Sequence, residues 1–102
     1  MSTSSETTAR KELLGAEIVR RSGIVFTAVG DETVLMGTAT GKYYGLDDIG
    51  TDVWKRIGSP IAVKELCAAL AAEYDGKAEK IEEDVLTLLA RLAEAGMIEV
   101  RP

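Results

Sequence analysis

The chain contains no histidine and a single cysteine, Cys67. The missing histidine removes the side chain most often used as general base and metal ligand near neutral pH. One cysteine can build neither a structural zinc site nor an internal disulfide. An unpaired thiol fits a reducing cytoplasm better than a secreted setting. As a nucleophile Cys67 would need a base or a positive environment; its neighbours Leu66, Ala68 and Ala69 point instead to a buried, inert thiol. Basic residues are also scarce, 12 against 17 acidic ones, for a net charge of −5. Nucleic-acid binding draws on clustered Lys and Arg, so this balance disfavours it. No apolar run approaches the ~20 residues of a membrane span. The first residues are Ser, Thr and charge, without the apolar centre of a signal peptide. The expectation is a soluble cytoplasmic protein that contacts no membrane, needs no cofactor and performs no catalysis.

What is present is a modest globular core. At 102 residues there is room for one domain. A chain of this size buries roughly 60–70% of its unfolded surface, which leaves little for a deep enzyme pocket. Residues 1–22 read as a flexible tail, with a weak amphipathic lead-in at Leu13, Leu14, Ile18 and Val19; residues 23–102 read as the domain. Ile24–Val29, Thr33–Ala39 and Lys42–Leu46 are short β-rich runs separated by the turn pairs Gly30-Asp31 and Thr40-Gly41. That spacing predicts a three-stranded antiparallel meander. Alternation in the third run puts Tyr44 and Leu46 on one face, Tyr43 and Gly45 on the other. Three helices should follow. The first, capped by Asp47 or Asp48, carries Ile49, Val53, Trp54 and Ile57; the others cover about Val63–Tyr74 and Ala78–Ala95. Met97–Val100 closes the chain as a strand. The class is α+β, in the order βββ-ααα-β.

The third helix is more apolar than a small core requires. Ile81, Val85, Leu88 and Leu92 fall within ~60° of one another on a helical wheel. Leu89 lies at the shoulder of that stripe, and Leu86, Ala90 and Ala93 beyond it. Packing against two neighbours would account for the width. The sharper expectation is a groove along Leu86, Leu89, Ala90 and Ala93. Beside an open strand edge, such a groove could hold an extended peptide by strand addition. Paired carboxylates at Asp47-Asp48 and Glu82-Glu83-Asp84 lack the spacing of a calcium loop and suit helix starts. No phosphate-binding glycine loop surrounds Gly41 and Gly45. Trp54, on an apolar stripe, reads as core.

The run Gly41-Lys42-Tyr43-Tyr44-Gly45-Leu46-Asp47, followed by Gly50 and Val53-Trp54, resembles PqqD-like proteins. The resemblance continues through Val63 to Glu73-Tyr74, Ile81-Glu82-Glu83-Asp84-Val85, Leu88-Leu89 and Leu92 to Gly96-Met97-Ile98, covering about Ile24 to Val100. It implies a winged helix-turn-helix-like domain that binds the leader segment of a ribosomally made precursor peptide. The leader would add to the third strand and pack on the third helix. Carried onto this chain, the peptide-binding residues are Lys42, Tyr43, Tyr44, Gly45 and Leu46 on the strand, and Glu82, Val85, Leu86, Leu89, Ala90 and Ala93 on the helix. The paired tyrosines look more like the stand-alone recognition proteins of lasso-peptide clusters than like members from pyrroloquinoline quinone biosynthesis. The implied partners are a precursor leader and a leader-processing cysteine protease, or another modifying enzyme. Two other readings compete. A DNA-binding winged helix would need a basic recognition helix, and the second helix offers only Lys64, with Lys77 just beyond its end. A homodimer could form if the exposed edge paired with another copy.

Overall fold

The computed structural model describes residues 11–102. Nine regular elements follow a helical turn at residues 11–14: β1 (Glu17–Arg20), β2 (Ile24–Val29), β3 (Glu32–Gly37), β4 (Tyr43–Leu46), α1 (Asp48–Arg56), β5 (Ile61–Ala62), α2 (Val63–Glu73), α3 (Ala78–Glu94) and β6 (Ile98–Arg101). The fold is α+β: an antiparallel meander, β2-β3-β4, leads into the three helices, as the turn spacing predicts. Each predicted strand and helix of this part lies within two residues of its expected ends.

A second three-stranded sheet, β5-β1-β6, was not anticipated. The expected tail over residues 1–22 is therefore corrected from Leu13 onward; residues 1–10 lie outside the described residues. Leu13, Ala16 and Ile18 are buried, and β1 is the central strand of its sheet. Ile18 pairs with Ile61 on one side and Val100 on the other. The partners are more than forty residues away in sequence, so a four-residue run carries no local signal of its role. Arg20, at the end of β1, joins the two halves of the molecule. Its Nε donates to the Trp54 carbonyl at 2.8 Å. Its guanidinium lies 4.8 Å from the Phe26 ring centre and 5.0 Å from that of Trp54, within cation–π range. Phe26 and Trp54 themselves meet edge to face at 5.8 Å.

The helices close the core from the other side. α3 supplies Ile81, Val85, Leu86, Leu89 and Leu92 as buried residues, and α2 packs along it through Val63, Leu66, Cys67 and Leu70. Cys67 is free and buried, and desolvation together with the nearby Glu82 charge pushes its thiol up, away from the reactive thiolate. The groove expected along Leu86 and Leu89 is thus corrected: their exposures are 4% and 0%, because α2 covers that flank. Leu88, assigned to the core stripe, is the half-exposed one.

A polar cluster ties α1 to the end of α2. Asp52 accepts from Arg56 Nε at 2.7 Å and from the Tyr74 hydroxyl at 2.8 Å, and Arg56 also bonds Glu73. Desolvation pushes the Asp52 carboxyl up, but the bonds from Arg56 and Tyr74, with the Arg56 and Lys55 charges, outweigh it and hold it below its ordinary value. The same bond, followed by desolvation and the surrounding carboxylates, pushes the Tyr74 phenol up to about 12.

Asp52 is favoured as a carboxylate, so its contribution is full above the ordinary carboxylate range and lost as pH falls through its depressed value; Tyr74 is favoured as a phenol, so its contribution is lost as pH rises toward about 12. In an ultraviolet titration of the phenols, Tyr74→Phe should delete the step near 12. In denaturant melts, Leu86→Ala and Leu89→Ala should each cost about 2–5 kcal/mol, whereas Leu88→Ala should cost about 1 kcal/mol or less.

Candidate functional site

β4 is an edge strand, and the pairing register shows which of its backbone groups are free. Thr33 lies opposite Leu46, Val34 opposite Gly45, Leu35 opposite Tyr44 and Met36 opposite Tyr43. The Gly37 N–H donates to the Lys42 carbonyl at 3.0 Å. Hydrogen-bonded pairs alternate along an antiparallel ladder, so Lys42, Tyr44 and Leu46 direct their backbone groups at β3. Tyr43 and Gly45 therefore direct theirs outward. Among the described residues no strand pairs with this edge.

The loop before β4 sets where the edge begins. Gly41 adopts a left-handed φ of +69°, and its N–H reaches back to the Gly37 carbonyl at 2.7 Å. After β4 the chain runs without a break into α1. Asp47 remains extended and accepts the Gly50 N–H at 2.8 Å, capping the helix. A Cβ at Gly50 would stand 3.1 Å from Leu46 Cβ and 3.2 Å from Asp47 Oδ1, close enough that these neighbours would have to give way slightly. The close approach of α1 to the strand end follows from that glycine.

Beside this junction lies a cleft of about 270 Å³, between the start of α1 and one face of α3. Ile49, Val85 and Leu88 give it an apolar lining, and Asp47, Asp84, Thr87 and Arg91 its polar and charged lining. Asp84 is partly satisfied by Lys80 at 3.3 Å. A larger hollow of about 470 Å³, near the β2-β3 turn, is lined by Asp31, Asp48, Asp52, Lys55 and Tyr74. Its inner carboxylate and phenol are already bonded to each other, which leaves a peptide less to gain there.

The expected site residues distribute as follows. Lys42 and Gly45 are exposed and Tyr43 is 71% exposed; Tyr44 packs half-buried on the core, and Leu46 is buried. On α3, Val85 lines the cleft from a buried position. Leu86 and Leu89 are core. Ala90 is exposed and Ala93 half-buried, and neither lines the cleft; Glu82 lies with Leu14, Lys64 and Cys67 in a separate hollow between α2 and α3. The face of α3 turned toward the start of α1 is the Asp84–Leu88–Arg91 face. Helical periodicity could not reveal this, because a wide apolar stripe has two shoulders and only tertiary packing decides which one is covered. Ile49 and Gly50 were also missed as lining residues; the glycine one turn into a helix was the available signal.

The arrangement has no grouping of three or more metal-ligating side chains among the described residues. No helix there is long and apolar enough to cross a membrane. What it offers chemically is an unpaired strand edge beside an apolar cleft with charged residues in its lining.

Comparison with known proteins bears on this directly. Residues 32–98 match the family described as Coenzyme PQQ synthesis protein D (PqqD). No curated protein matches the chain. Among solved structures, TbiB1 in complex with the TbiA(beta) leader peptide is similar at 30% identity and a TM-score of 0.71, over 79% of this chain and 94% of that one. Lasso peptide synthetase B1 complexed with the leader peptide shares the fold, with a TM-score of 0.70 at 23% identity, over 80% of this chain and 96% of the other. The family match runs from β3 through α3 to the first residue of β6, so it contains the edge strand, its junction and the cleft. The sequence resemblance is borne out: this chain belongs to the PqqD family.

Proposed function

We propose that the chain binds the leader segment of a ribosomally made precursor peptide along β4 and presents it to a modifying enzyme, without catalysing a step itself. The observation that carries this reading is the outward-facing backbone of Tyr43 and Gly45 next to the Ile49–Leu88 cleft. An incoming strand would exchange hydrogen bonds with these two residues. Alternate side chains on its inner face would then meet the cleft. Backbone bonds contribute about 1 kcal/mol net each, and a buried apolar anchor adds roughly 1.5–3 kcal/mol. Against an association cost of about 4–15 kcal/mol, the edge alone binds weakly, so the cleft supplies the affinity that matters.

Family membership supports this reading. The two similar structures are named for complexes with leader peptides, one of them a lasso peptide synthetase component. With the paired Tyr43-Tyr44 before α1, this favours lasso-peptide maturation, with a leader-processing cysteine protease in the cytoplasm as the receiving enzyme. The family description names coenzyme PQQ synthesis, so an adaptor role in that pathway is the second reading.

A test uses a fluorescent leader peptide from the precursor encoded in the same gene cluster. Gly45→Pro removes one outward N–H, and a Cβ there meets nothing within 4 Å, so the fold should persist. Leu88→Asp alters the cleft at a half-exposed position. Each should weaken binding at least about tenfold, the equivalent of 1.4 kcal/mol, with unchanged circular dichroism. Wild-type affinity in both folded variants would sink the assignment.

A further inference from the structure

The hollow of about 470 Å³ near the β2-β3 turn has no part in leader binding. The turn lines it with Asp31, α1 with Asp48, Thr51, Asp52 and Lys55, and the end of α2 with Tyr74. The α1 residues follow one another at three- and four-residue steps, so they share one helix face. Ile49 and Gly50, which line the leader cleft, lie off that face. A leader in the cleft therefore leaves the hollow open on another flank of the same helix.

The hollow is rich in acceptors. Asp52 already takes bonds from Arg56 Nε and from the Tyr74 hydroxyl. Having given its proton to Asp52, the Tyr74 oxygen can only accept. Asp31 and Asp48 make no ion pair among the described residues. Thr51 adds what acidity alone would not. It is 5% exposed, and its Oγ1 is buried with no hydrogen-bond partner among the described residues. Its same-face neighbours Asp48 and Lys55 both line the hollow, so its side chain leaves α1 on that side. A helix start and a turn account for carboxylates. They do not account for an orphaned hydroxyl, which costs stability until it finds a partner.

The charges narrow the guest. Asp31, Asp48, Asp52 and Glu73, which shares Arg56 with Asp52, stand against Lys55 and Arg56. The surplus is negative. The carboxylates do not gather into a metal-binding group, so a point charge is a poorer match than donors spread over several atoms. A guanidinium carries positive charge, donates five N–H bonds in a planar fork and accepts none. A protein that takes over the leader must touch the loaded chain outside the cleft, and this flank of α1 adjoins it.

We propose that the hollow beside Asp31, Asp48 and Thr51 receives an arginine side chain of the enzyme to which the leader is presented. The identity of that enzyme rests on the leader reading; the affinity of the hollow for a guanidinium does not.

Two titrations test this. In the first, the isotope-labelled full chain is followed by NMR as Nα-acetyl-arginine amide is added at low salt, to about 100 mM. Saturable shifts at the Asp31, Thr51 and Lys55 amides are expected, half complete at about 1–30 mM. The neutral citrulline counterpart should produce none. Asp31→Asn, Asp48→Asn and Thr51→Val should each weaken the probe about threefold or more, and Lys55→Gln should tighten it by a similar factor. In the second, the leader-loaded chain is titrated with the leader-processing protease encoded in the same gene cluster. The double variant Asp31→Asn, Asp48→Asn should bind the protease at least about tenfold more weakly while holding the leader as tightly as wild type. Absence of saturable shifts overturns the arginine site, as do equal shifts with citrulline or wild-type probe binding by the folded Asp31, Asp48 and Thr51 variants. Undiminished protease binding by the double variant overturns the enzyme as the source of the arginine. Failure of the wild type to bind the leader removes the leader reading and that source together, while the first titration still decides the site.

Discussion

The arrangement depends first on the close contact between Leu46 and Gly50. β4 ends with a buried leucine, and α1 begins within one turn of it, with Asp47 capping the helix from an extended backbone. A side chain at position 50 would crowd Leu46 Cβ and Asp47 Oδ1 and so loosen this contact. As built, the strand edge and the helix start form one rigid corner. Ile49 is thereby held opposite Leu88, and the cleft follows from that placement.

The second constraint is the packing of α2 on α3. It uses Leu86 and Leu89, which leaves only the Leu88 side of α3 for anything outside the core. One helix thus serves two purposes that its sequence does not separate. Its apolar residues are similar in kind, and their roles are assigned by which neighbour packs on each face.

Much of the fold was legible in the chain. The meander, the three helices and their order follow from turn pairs at Gly30-Asp31 and Thr40-Gly41, from the cap at Asp47 and from the breaks near Gly58 and Gly76. These are local signals, set by backbone preferences of a few residues. The second sheet was not legible, because Glu17–Arg20 and Ile61–Ala62 are too short to declare themselves and find each other only through long-range pairing. The site divides the same way. The edge strand could be named from alternation, whereas the facing surface of α3 could not, since Leu86 and Leu88 differ by two positions and by which side another helix occupies. The Arg20 contact with Trp54 and Phe26 escaped for the same reason: a lone arginine after a short apolar run has no pattern.

The free edge of β4 presents two residues, Tyr43 and Gly45. An antiparallel ladder repeats every second residue, so a guest strand displaced by two positions finds the same bonds again. Such an edge measures alternation but not position. It works like the fine scale of a vernier, and the cleft beside Leu88 supplies the index mark. A guest could land out of step, slide along the edge without letting go, and stop where its own bulky residue drops into place. The search for the right alignment then becomes motion along a rail, and the spacing between that residue and the rest of the guest decides what is delivered to the next protein.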